Sequence, residues 1–178
     1  MKLIESKTLG TAAASIEFTS IPQTFTDLVL LVSGRTTGGA GECWLRFNGD
    51  SGTNYSWRRL LGTGSAASSD SQASYGGYNT FLYFPTMATR GTYTANTFGS
   101  GMIYIPNYAG STTKSASMDG VSENNATAAQ QELIAGLWNS TAAITSILLD
   151  IQTDSYETGT VASLYGVLKG SDGIVTTS

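Results

Sequence analysis

The chain contains no histidine, a single cysteine, three prolines and few charged residues. Without an imidazole there is no His general base, no His-containing triad and no His-ligated metal. Cys43 alone can form neither an internal disulfide nor a thiolate cluster. The longest uninterrupted apolar run is residues 28–32, far short of the ~18 residues a membrane-spanning helix needs. The opening MKLIESKTLG places Glu5 and Lys7 where a secretory signal needs its apolar stretch, so the expectation is cytoplasmic synthesis without export by that route. Lys and Arg total 9 against 13 Asp and Glu, a formal net charge of −4. Phosphate binding needs clustered cations, so this balance argues against a nucleic-acid partner. The Gly-rich stretches at 38–41 and 62–64 lack the GK[ST] of a phosphate loop. Abundant Ser is not set in a G-x-S-x-G turn, and its base would be missing. The sparse carboxylates single out no acid–base pair. The expectation is therefore a protein that is not an enzyme, with no cofactor, no metal, no nucleic acid and no membrane partner.

What is present points to a folded β protein. The 178 residues suffice for one domain. Charged residues make up 12%, about half the usual share, while 22 Ser, 25 Thr and 21 Gly make the surface polar without making it ionic. Nine Tyr, six Phe and three Trp, with Val and Ile throughout, argue against disorder and favour pleated, half-buried surfaces.

Most segments alternate with a period of two. Residues 15–19 alternate cleanly, and 26–36 carry apolar residues on both faces, as a central strand covered on both sides would. Cys43, Leu45 and Phe47 share one face; Trp44, Arg46 and Asn48 share the other. The turn signal at 48–52, NGDSG, makes 42–48 and 54–61 read as a hairpin. Residues 62–77 have no periodicity and read as a long Gly/Ser-rich surface loop. Further strands are expected over 79–85, 98–106, 112–122, 132–138, 144–152 and 161–168, with one or two helical turns possible over 124–131. Nine or ten strands with short turns and no βαβ alternation predict an all-β, antiparallel, jelly-roll-like sandwich. It would occupy 1–170 as one domain, with 171–178 a flexible tail.

A resemblance enters at particular residues. Residues 137–147, LWNSTAAITSI, followed by Ser163-Leu164-Tyr165-Gly166-Val167, resemble the C-terminal end of phage virion structural proteins of β-sandwich type, with Val167 where an Ile is expected. Residues 16–22 and 26–30, and the pair 45–50 and 54–57, are similar to the N-terminal half of the same proteins. The resemblance covers about two thirds of the chain, spares 62–110, and implies a particle component located in the virion. The residues themselves point the same way. Few Lys or Pro interrupt the strands, and open edges are a liability for a lone protomer. Edges paired or covered by neighbouring copies are therefore expected, most simply in a homotrimer on a symmetric particle. The expected role is capsid decoration, bridging subunits of the major shell protein; the alternative is a tail or fibre module binding host glycans.

Candidate contact residues follow. Trp44, Arg46, Trp57 and Arg59, placed on neighbouring strands, read as a subunit interface, since desolvated Trp and Arg carry much binding energy. A sugar-stacking platform and ordinary packing under the 62–77 loop are the alternatives. Tyr75 and Tyr78, with Tyr83, Tyr93 and Tyr108, lie in a Ser- and Gly-rich middle suited to adaptable recognition or to loop anchoring. Asp150, Asp154 and Glu157, or Asp50 with Asp70, could offer oxygen ligands to a cation, but match no calcium-loop spacing and read equally as solvated acidic turns. Cys43 reads as a small buried hydrophobe.

Overall fold

The computed structural model describes residues 1–38, 43–75, 79–85, 94–123, 129–151 and 153–168. Twelve strands are found among them: β1 (Lys2–Thr8), β2 (Ser15–Phe18), β3 (Asp27–Gly34), β4 (Cys43–Phe47), β5 (Tyr55–Gly62), β6 (Ala67–Ser71), β7 (Leu82–Phe84), β8 (Gly99–Ile105), β9 (Lys114–Glu123), β10 (Ala129–Trp138), β11 (Ile147–Ile151) and β12 (Val161–Val167). They form an eight-stranded sheet, ordered β1-β12-β3-β8-β9-β10-β5-β6, and a four-stranded sheet, ordered β2-β11-β4-β7. All pairings are antiparallel. The expected antiparallel sandwich forms, with unequal layers.

Period two in the sequence becomes inside and outside in the fold. Leu28, Leu30 and Val32 of β3, Ile103 and Ile105 of β8, Met118 of β9, and Ile134 and Trp138 of β10 point inward. They meet Ile16, Phe18, Leu45, Phe47, Ile147 and Leu149 of the smaller sheet in one core. Burying a Leu, Ile or Phe side chain contributes roughly 1.5–3 kcal/mol, so this interlayer contact dominates stability. Gly136 sits where the layers approach closely: a Cβ there would lie 3.0 Å from both terminal methyls of Leu82 and from the Met118 methyl.

Three expectations are corrected. First, the chain over 42–61 is not a hairpin: β4 belongs to the small sheet and β5 to the large one. Asn48 and Gly49 adopt positive φ, 54° and 65°, as the turn signal requires. The side chains then hold the turn as an arch between layers. Asn48 Nδ2 donates to the Ala143 carbonyl (2.8 Å), and its Oδ1 accepts from the backbone N–H of Thr145 (2.7 Å) and Ser146 (3.1 Å). The Asp50 carboxylate accepts from Trp138 Nε1 (2.7 Å), Asn54 Nδ2 (2.9 Å) and the Gly52 N–H (2.8 Å). Gly52 and Asn54 are local, but Trp138, Ala143, Thr145 and Ser146 lie 88 to 98 residues away in sequence, which local turn chemistry does not reveal.

Second, of the expected 62–77 loop, 62–75 is not structureless, and 76–77 lie outside the described residues. Ala67–Ser71 forms edge strand β6 against β5, followed by a 3-10 turn at Gln72–Tyr75. Its small polar residues carry no apolar period. What orders them is pairing with β5, the Asp70 bridge to Arg59 (2.6 Å), and the Gln72 side-chain oxygen accepting from the Trp57 N–H (3.2 Å). Third, 129–131 belongs to β10 rather than to a helical turn, because β9 pairs with it as far as Ala129; 124–128 lies outside the described residues, as does the expected tail at 171–178. Strand β1 was not anticipated. Together with β6 it brings the ten expected strands to twelve.

Candidate interaction face

The outer surface of the eight-stranded sheet is the most distinctive feature of the molecule. The alternation that buries Leu28 and Leu30 turns Leu31 outward. By the same parity β8 presents Met102 and Tyr104, β9 presents Ser115, Ser117, Asp119 and Val121, β10 presents Leu133, Ala135 and Leu137, and β5 presents Arg58 and Leu60. Leu31, Leu60, Met102, Tyr104, Val121, Leu133 and Leu137 are each between 38% and 58% exposed. A central strand with apolar residues on both faces is expected to be covered on both sides. Among the described residues no element covers this one.

The face has relief. Leu31 stands directly opposite Met102 on the neighbouring strand, and Leu60 directly opposite Leu133. Between these two apolar pairs stands Asp119, opposite both Met102 and Leu133, with the small side chains of Ser117 and Ala135 paired in the next outward-facing row. The result is two open troughs. One, of about 770 Å³, is lined by residues that include Arg58, Leu60, Ser69, Ser71, Ser117 and Leu133. The other, of about 400 Å³, is lined by residues that include Leu31, Ser100, Met102, Ser163 and Tyr165. Asp119 borders both. Tyr104 donates to Asp27 at 3.0 Å, and partial burial together with that carboxylate raises its phenol above the usual range.

The four aromatic and cationic residues expected to form one patch are divided between the layers. Trp44 and Arg46 lie on the small sheet. Trp44 is half-buried and stacked on Phe81, with centroids 4.1 Å apart and planes at 10°. Arg46 lies 5.4 Å over the Trp44 ring, donates to the Thr80 carbonyl (3.0 Å) and approaches Asp150 (3.7 Å). Trp57 and Arg59 point inward from β5 and are 1% and 5% exposed. Trp57 packs on Tyr83 at 5.3 Å. Arg59 lies 4.8 Å over the same ring, binds Asp70 through two nitrogens (3.0 and 2.6 Å), and reaches Glu132 at 3.6 Å. Trp57 and Arg59 are therefore core residues, and the shared stacking platform does not form. Tyr75 contributes backbone to the 3-10 turn, with its side chain outside the described residues; Tyr78 and Tyr93 also lie outside them. Tyr83 and Tyr108 are buried.

The acidic groups are dispersed. Asp150 faces Arg46, Glu157 faces Arg35 (2.9 Å), Asp70 faces Arg59 and Asp50 faces Trp138. No group of three potential ligands that could hold a metal occurs among the described residues. Burial pushes the Cys43 thiol up to about 12, which keeps it protonated. No helix among the described residues is long and apolar enough to cross a membrane.

The exposed apolar set on the large sheet was the missed signal. It was readable in the residue parity of 27–34, 99–105 and 131–137, once those strands are placed side by side. In class, the chain is an antiparallel β-sandwich with one apolar-rich face that no element among the described residues covers. Compared with protein-family models, with curated proteins and with solved structures, it matches none.

Proposed function

We propose that the chain is a structural subunit of a bacteriophage particle: a decoration or cement protein that binds the outer head surface, bridges shell subunits and acts as a homotrimer in the virion. The observation that carries this reading is the uncovered apolar face of the eight-stranded sheet. Patches of this kind on soluble domains mark interaction surfaces. The likeness of residues 137–147 and 163–167 to virion proteins supplies the biological setting.

Magnitudes indicate how such a face acts. Seven half-exposed apolar side chains contribute on the order of 1 kcal/mol each on full burial. That sum is comparable to the ~4–15 kcal/mol lost in immobilising a partner. A single such contact is marginal, and adhesion then depends on several contacts made at once. A standard interface takes ~800 Å² from each partner, about a tenth of the 8360 Å² surface of this chain. The surface of the chain therefore has room for contacts with both a sister copy and the shell.

The test is the stoichiometry of the chain relative to the major shell protein in purified particles. Hundreds of copies support head decoration. A dozen or fewer place it on the tail or a fibre, where host-glycan binding becomes the role to assay. Its absence from particles refutes the proposal.

A further inference from the structure

We infer that the free edge of β6 is a self-pairing site: Ala67–Ser71 of one copy adds antiparallel to the same strand of a second copy, in a register centred on Ser69. The inference rests on the reading of the chain as a self-assembling subunit.

Among the described residues the sandwich has four outer strands, and three of them are protected. Strand β1 carries Lys2, Glu5 and Lys7 and a register irregularity between Leu3 and Glu5, the usual devices against edge pairing. Strand β2 has four residues and exposes Glu17; β7 has three residues, all buried. Strand β6 has no bulge and no proline, and its one charge, Asp70, is bridged to Arg59 at 2.6 Å. Ala67, Ser68 and Ser69 are exposed.

Backbone parity shows which groups are free. The Trp57 N–H donates toward the β6 side, to Gln72, while the Asn139 N–H donates to the Asn54 carbonyl on the other side. Hydrogen bonding alternates along a strand. Arg59 and Leu61 therefore bond to their partners Asp70 and Ser68, and the backbone groups of Ala67, Ser69 and Ser71 point away from the sheet. Three residues, each with one donor and one acceptor, allow about six interchain hydrogen bonds in a symmetric pair.

The sequence of the strand selects the partner. A register centred on Ser69 sets Ser69 against Ser69, Ala67 against Ser71 and Ser68 against Asp70. Every opposed pair is small, and no two carboxylates meet. Such an isologous contact closes as a twofold pair, so it joins two of the proposed trimers rather than forming one. It also joins the apolar faces of two copies on the same side of one continuous sheet, with the trough beside Leu60 and Leu133 flanking the seam on each.

Cysteine trapping tests this. Residues facing each other in a hydrogen-bonded antiparallel pair have Cα atoms ~5.5 Å apart, within disulfide range. Native Cys43 is buried, so mild oxidation reports on an introduced thiol. Ser69→Cys should give mostly disulfide-linked dimer on a non-reducing gel, whereas Ser51→Cys, in the exposed arch, should stay uncrosslinked. Ser69→Pro, which removes an outward N–H only, should keep the wild-type circular dichroism and lower the assembled mass. A folded Ser69→Cys chain that remains uncrosslinked, or crosslinking equal to that of Ser51→Cys, overturns the inference. Leu133→Glu separates this from the face reading. If Leu133→Glu lowers the assembled mass while Ser69→Cys fails to crosslink, the edge is wrong and the face stands. If Ser69→Cys crosslinks and Leu133→Glu changes nothing, the edge stands and the face is wrong.

Discussion

Replacing Asp50 should expose how the chain passes from one layer to the other. Its carboxylate receives three N–H donors, and the one that matters most is Trp138 Nε1 at 2.7 Å, since Trp138 is only 2% exposed. The Gly52 and Asn54 donors lie nearer solvent and can turn to water. Asp50→Ala strands the Trp138 donor in the interior, at a cost of about 1–3 kcal/mol, and removes the anchor of the arch. We expect a loss of about 2–3 kcal/mol and a fall in Tm of roughly 5–10 °C for a chain of this size. Asp50→Asn keeps a neutral acceptor and should lose about half as much. The Trp138 hydrogen bond is the main reason the Asp50 carboxyl titrates below its usual value in the folded chain. Its contribution is therefore complete above the unfolded carboxylate value of ~3.9 and disappears as pH falls through the lower folded value. The urea midpoints of wild type and Asp50→Asn should differ at pH 7 and converge toward pH 3. An unchanged Tm in Asp50→Ala, or a gap that widens on acidification, would refute the reasoning.

Further outcomes follow from the same packing. Arg59→Ala leaves Glu132, 1% exposed, beside a lost cation and should destabilise by about 3–5 kcal/mol in urea titration, whereas Arg46→Ala, half-buried on the outer side of the small sheet, should cost less, on the order of 1 kcal/mol. Gly166→Ala places a Cβ 2.2 Å from the Phe25 ring and should lower stability by about 1–3 kcal/mol through overpacking; Gly10→Ala, with open space around it, should not. Cys43, protonated and buried, should resist a thiol reagent at pH 8 and react fully in denaturant, so labelling in the folded state at the unfolded rate would contradict its placement.

The layered fold was legible because burial in a sandwich follows a period of two. Residues 15–18, 43–47, 114–122 and 161–167 announce their inward faces in this way. Strand β6 was hidden because Ala67, Ser68, Ser69 and Ser71 carry no apolar pattern; pairing with β5 alone orders them. The hairpin reading failed at a long-range step. Asn-Gly-Asp signals a tight turn in either case, and whether the next strand stays in the sheet depends on partners near residue 140. Trp57 and Arg59 were misplaced for the same reason. Placing β5 in the large sheet turns its odd-numbered residues inward, and Arg59 is tolerated there because Asp70 and Glu132 meet it. The apolar face was visible as residues but not as a surface, since Leu31, Met102 and Leu133 become neighbours only once strand order is known.

The central claim is that this chain acts by assembling through its open sheet face. Light scattering on the size-fractionated chain at micromolar concentration tests it most directly, comparing wild type with Leu133→Glu. The account predicts a wild-type mass at a multiple of 18.6 kDa, three protomers where the faces alone assemble it and six where β6 pairing joins two trimers, falling in the variant at least to the β6-paired dimer with its circular dichroism unchanged. A wild-type chain that runs as a lone protomer, or a Leu133→Glu chain that assembles as fully as wild type, would contradict it.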